Sequence, residues 1–131
     1  MKKALDLIKL LPFLGNENYY SMKIVCKTNR LEKQLSNASE IKKAFGNDAK
    51  KVSARLDDIR ASPNLASLMK IPQANCHSLK GDRKGEWALN ISANRRLIFE
   101  IVDDPVPQND DGSINTILIT DIRLSEIVDY H

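Results

Sequence analysis

The sequence predicts an α+β domain: an N-terminal strand, two helices, and then a mainly antiparallel twisted β-meander, with the helices packed on one face of the sheet. Two changes of pattern carry that expectation. Between Asn29 and Ile59 apolar residues recur at helical spacing, and beyond Pro72 the spacing switches to alternation. A third observation sets the limits: Gly, Pro and Asn/Asp clusters separate the extended runs into short strands. At 131 residues the chain is one domain by length, large enough to bury a core without metal or disulfide staples.

Each element has a local reason. "MKIVCK", Met22 to Lys27, is short and β-branched, which suits a strand. From Asn29 to Phe45 one helix is expected, with Leu31 and Leu35 on one face and Ile41, Ala44 and Phe45 on another, until Gly46 ends it. Asp48 is a fitting N-cap for a second helix carrying Val52, Leu56 and Ile59, which must stop before Pro63. "LASLMKI" offers one further helical turn. "ANCHSLK" reads as a strand entering a turn between Gly81 and Gly85. "EWALNIS" alternates with Trp87, Leu89 and Ile91 on one face, and "RRLIFEIV" sets Leu97, Phe99 and Ile101 against Arg96, Ile98 and Glu100. A polar loop over Asp103–Ser113 precedes a long last strand from Asn115, bulged near Leu124–Ser125.

Residues 1–21 read as an N-terminal extension, helical or disordered, and residues 22–131 as the domain. The run "MKKALDLIKLLPFLGN" is interrupted by Asp6 and Lys9, has no small-residue cleavage site after it, and is too short to span a membrane. The two cysteines, Cys26 and Cys76, lack framework spacing and suit reduced thiols in a cytoplasm. Together these features predict a cytoplasmic chain with no membrane partner.

Charge is divided along the chain. Residues 22–101 hold 16 lysines and arginines against 8 acids, a net +8, whereas residues 102–131 carry −6. A basic body of this kind favours an anionic partner such as nucleic acid. The positive charge concentrates at "CHSLKGDRKGEW", where Lys80, Arg83 and Lys84 crowd one tight turn just after His77.

"HSLKGDRKGEW", "ISANRRLIFE" and the closing "EIVDYH" together make residues 22–131 similar to the RelE/ParE superfamily of bacterial toxins. The resemblance is greatest to its HigB branch, the plasmid maintenance system killer proteins. It implies a RelE-like fold and a toxin of a type II toxin-antitoxin system that works as a metal-independent endoribonuclease, an mRNA interferase, needing no cofactor. Its implied partners are mRNA in the ribosomal A site, with the rRNA around it, and a HigA-like helix-turn-helix antitoxin. Ser78 stands where family members often have proline. Arg95 stands where many carry an aromatic residue, and an arginine plane can also stack on a base.

RNA can be cut without a metal because its own 2′-hydroxyl attacks the adjacent phosphate. The enzyme must deprotonate that hydroxyl, stabilise charge on phosphorus and protonate the departing 5′-oxygen. Both histidines of the chain fall in the motifs: His77 at the basic turn and His131 at the end. His77 and His131 are the acid–base candidates, Lys80 and Arg96 the charge stabilisers. Asp129 would orient an imidazole or act as the base, and Tyr130 would donate to the phosphate or stack on a base. Arg83, Lys84 and Arg95 are the expected RNA contacts. Trp87, in phase with Leu89 and Ile91, belongs to the core, and Cys76 faces away from its neighbour His77. Two other functions fit the same fold: a ParE-like inhibitor that binds DNA gyrase without chemistry, and an inactive nucleic-acid-binding module.

Overall fold

A computed structural model describes residues 21–129. The elements run β1 (Lys23–Cys26), α1 (Asn29–Gln34), α2 (Ala38–Phe45), α3 (Ala49–Ala61), α4 (Leu65–Leu68), β2 (His77–Ser78), β3 (Glu86–Asn90), β4 (Arg95–Ile101) and β5 (Asp121–Asp129). Four 3₁₀ turns lie between them, at Gly46–Asp48, Pro72–Ala74, Gly81–Arg83 and Thr116–Leu118. The five strands form one sheet in the order β1-β5-β4-β3-β2, antiparallel from β2 to β5, with β1 added parallel to β5. This is the expected α+β arrangement of strand, helices and meander.

Burying the helices' apolar faces against one side of the sheet makes the core. Val52, Leu56 and Ile59 of α3 and Leu65 and Leu68 of α4 join Trp87, Leu89, Leu97, Phe99, Ile122 and Leu124 in a single buried cluster. Trp87 pairs across the strands with Phe99, their rings stacked 6.1 Å apart, so the tryptophan is core as expected. The expected bulge in the last strand is also there. Ile98 pairs with Glu126 and Phe99 with Leu124, which leaves Ser125 as the extra residue, its hydroxyl donating to the Ile98 carbonyl (3.1 Å).

Four expectations are corrected. The first helix is two: Asn37 breaks it and caps α2, its side chain accepting from the Glu40 amide at 2.9 Å. An asparagine three residues before a glutamate is itself a helix-start signal, and it overrides the continuing apolar period. Asp48 does not cap α3 through its side chain. Its carboxylate instead accepts from the Ser92 hydroxyl (3.2 Å) and faces Arg95 (3.5 Å). "ANCHSLK" contributes only two strand residues, because Asn75 turns the chain left-handed (φ 44°) just before it. The last strand begins at Asp121 rather than Asn115, the Thr116–Leu118 turn taking the intervening residues.

Candidate functional site

Of the candidate residues on strands, His77 and Arg96 fall on the face of the sheet opposite the helices. Strand alternation puts His77, Ala88, Ile98 and Glu126 in one row across β2, β3, β4 and β5. Asn90, Arg96 and Val128 form the next row on one side, and Glu86, Glu100 and Arg123 the row on the other. From strand spacing, the Cα atoms of His77 and Arg96 stand about 12 Å apart on this face.

His77 is exposed on the edge strand, and its Nδ1 lies 2.7 Å from the Asn75 carbonyl oxygen. A carbonyl only accepts, so Nδ1 carries the hydrogen, and in the neutral ring the lone pair sits on Nε2. Asn75 makes this possible. Its left-handed backbone, which asparagine tolerates better than most residues, turns its carbonyl beneath the ring. The sequence reading missed Asn75, though an Asn two residues before a candidate histidine is a usable signal. Cys76 is buried on the other side of the chain, and burial alone pushes its thiol up to about 12, so it is no nucleophile at neutral pH.

The basic turn is a 3₁₀ turn held between Gly81 (φ 66°) and Gly85 (φ 96°). Lys80 and Lys84 are exposed and make no ion pair with the described residues. Arg83 behaves differently. It leaves the turn to donate from Nη1 to Glu86 and from Nη2 to Glu126 (2.8 Å), and hydrogen bonds to these two carboxylates, Glu126 first, raise its already high pKa. It thereby links the turn to β3 and to β5, on the face where Ala88 and Ile98 are buried. The geometry therefore shows Arg83 as a clamp on the sheet rather than a side chain projecting from the turn's tip.

Arg96 donates to the carbonyls of Ser92 (2.8 Å) and Arg95 (3.0 Å), which directs it toward the β3–β4 turn. In the same row, the side-chain oxygen of Asn90 is enclosed and has no hydrogen-bond partner among the described residues, an uncommon state for a buried acceptor. Arg95 and Asp129 pair with each other (2.8 Å) on the helix side of the sheet, facing away from His77 and Arg96. Arg95 also donates to the Phe45 carbonyl (3.1 Å) and lies over the Phe45 ring at 5.7 Å, tying α2 to the end of β5. Tyr130 and His131, and the extension over residues 1–20, lie outside the described residues.

Further along the open face, Glu100 accepts from Lys27 (3.1 Å) and Arg123 (3.2 Å). Burial pushes its carboxyl upward, but those two hydrogen bonds and the charges behind them outweigh it and hold the group below the usual carboxylate range. Toward β1 the face is thus a set of matched ion pairs, whereas around β2 it presents an imidazole and two lysines without carboxylate partners among the described residues.

Compared with protein-family models and with curated proteins, the chain finds no match. Among solved structures it is similar to a YoeB/ParE toxin from Agrobacterium tumefaciens, with a TM-score of 0.45 and 13% identity, over 84% of this chain and 100% of that one.

Proposed function

We propose that the open face of the sheet binds RNA and cuts it, and that the chain is the toxin of a type II toxin-antitoxin system acting as a ribosome-dependent endoribonuclease. The observation that carries this reading is the orientation of His77. Its Nδ1–H is spent on the Asn75 carbonyl, so a basic Nε2 is offered on the same face as Arg96. The motifs shared with the HigB branch support the same reading from the sequence.

In this mechanism His77 Nε2 removes the proton from the 2′-hydroxyl, whose oxygen bonds to phosphorus. The P–O5′ bond then breaks, leaving a 2′,3′-cyclic phosphate and a 5′-hydroxyl, whose proton comes from a general acid. Lys80 and Arg96 stabilise the charge that gathers on the phosphoryl oxygens. Lys84 contacts the RNA backbone. His131 is the proposed acid and Tyr130 a phosphate or base contact. Asp129, through Arg95, anchors the strand from which those two residues follow. Because the attacking group belongs to the substrate, the reaction as written calls for no metal. A HigA-like antitoxin and a cytoplasmic location complete the proposal, with residues 1–21 an extension dispensable for chemistry.

One observation favours a second reading. Arg83, Arg123 and Lys27 are matched by carboxylates, so much of the open face is close to neutral, which suits a protein target such as DNA gyrase better than RNA. Brief expression without a partner separates the two. Mapping the 5′ ends of ribosome-bound mRNA should show cuts clustered in reading frame as translation stops. If translation continued while DNA supercoiling collapsed, the gyrase reading would replace the nuclease.

A further inference from the structure

We infer that Glu126, with Glu86, positions the basic turn: through Arg83 these carboxylates set where Lys80 and Lys84 stand relative to His77. The inference deepens the nuclease reading and rests on it for its catalytic consequence, though not for its structural one. The turn has little of its own to hold it. It is flanked by two glycines in left-handed conformations and closed by two backbone bonds, Arg83 N–H to the Lys80 carbonyl (3.3 Å) and Lys84 N–H to that of Gly81 (3.1 Å). Among the described residues, no side-chain hydrogen bond or ion pair ties Lys80, Asp82 or Lys84 to the sheet. The Arg83 fork does so twice, once within its own hairpin at Glu86 and once three strands from the edge at Glu126.

The second anchor matters more for position. Glu86 lies three residues from Arg83 and moves with the hairpin, whereas Glu126 belongs to β5, the strand that leads to Tyr130 and His131. Its place on the open face depends on the bulge at Ser125, which shifts the register so that Glu126, and not Ser125, stands opposite Ile98 in the His77 row. A planar guanidinium matches two carboxylates in a fixed geometry, and a lysine would not reproduce it. The clamp therefore couples the cationic turn to β5, three strands in from the edge on which His77 stands.

The test uses the full chain with Glu126→Gln, Arg83→Met and the double variant, all at surface positions. Amide hydrogen exchange of Arg83 and Lys84 is read against the Leu79 amide, which is held in the sheet by the Glu86 carbonyl at 2.8 Å. Either single variant should speed exchange at the turn by about fivefold or more while Leu79 and the melting temperature stay put, since only a local opening is released. The double variant should be no faster than the singles, because both remove one coupling. Single-turnover cleavage should fall by roughly tenfold in the chemical step with little change in substrate affinity, short of the ~100-fold cost of misplacing a reacting group by 1 Å. Glu126→Asp should recover part of that loss. Turn amides that exchange as in the wild type in Glu126→Gln would overturn the inference. So would an Arg83→Met variant that loses RNA affinity while Glu126→Gln cuts normally, which would make Arg83 an RNA contact. A wild-type chain that cuts no RNA would refute the nuclease reading and leave the exchange experiment deciding the clamp.

Discussion

The two faces of the sheet are made from alternate residues of the same strands, yet they are held by different forces. On the helix side, β4 presents Leu97 and Phe99, both fully buried, and β3 presents Trp87 and Leu89. On the open side, around the buried Ala88 and Ile98, the same strands present Arg96, Glu100 and Glu86, whose interactions are hydrogen bonds and ion pairs at partly exposed positions. Apolar burial is strong and shapeless, and it fixes the strands. Exposed ion pairs add little stability, so what the open face gains from them is direction: each charged group is aimed. Stability and chemistry can then be changed almost independently, and the predictions exploit that separation.

The largest effect belongs to the covered face. Phe99→Ala removes a fully buried ring stacked on Trp87 and should destabilise the domain by about 3–5 kcal/mol, read as a fall in the urea midpoint. A loss below about 1 kcal/mol would mean that the core is not built around that pair.

The open face should respond in the opposite way. Lys80→Ala removes an exposed cation with no ion pair among the described residues, so its melting temperature should stay near that of the wild type. Cleavage should nevertheless drop on the order of 100-fold, equivalent to about 3 kcal/mol of transition-state stabilisation. A variant that melts early would place Lys80 with the structural residues instead.

The smallest effect is a pH dependence. Glu100 has its folded pKa depressed, with the bonds from Lys27 and Arg123 overcoming the upward pull of burial. A depressed carboxyl adds stability above its unfolded pKa, about 4.3. That contribution is lost as the pH falls through the lower folded value. Urea midpoints from pH 6 down to pH 3 should therefore decline less steeply in Glu100→Gln than in the wild type. Parallel curves would show that these ion pairs contribute nothing measurable.

The sequence foretold the covered face better than the open one, for a physical reason. Apolar alternation is a local and repeated signal, so Trp87, Leu89, Leu97 and Phe99 could be assigned to the core from their spacing alone. The bulge at Ser125 was legible too, because the alternation slips there. Pairing between charged side chains has no such period. Arg83 and Glu126 are distant in sequence and meet only through the meander. Arg95 and Asp129 likewise find each other across a strand pair, on the face away from His77. The helix break at Asn37 was visible as a cap signal but was hidden by an apolar period that ran through it.

The central claim is that an imidazole locked through Nδ1 offers Nε2 to RNA on the open face. It is tested most directly by single-turnover cleavage of ribosome-bound mRNA with His77→Gln against the wild type across the pH range. The account predicts a loss on the order of 100-fold or more, with the limb due to the imidazole gone from the pH profile and the melting temperature unchanged. A His77→Gln protein that cuts at the wild-type rate with the wild-type profile would contradict it.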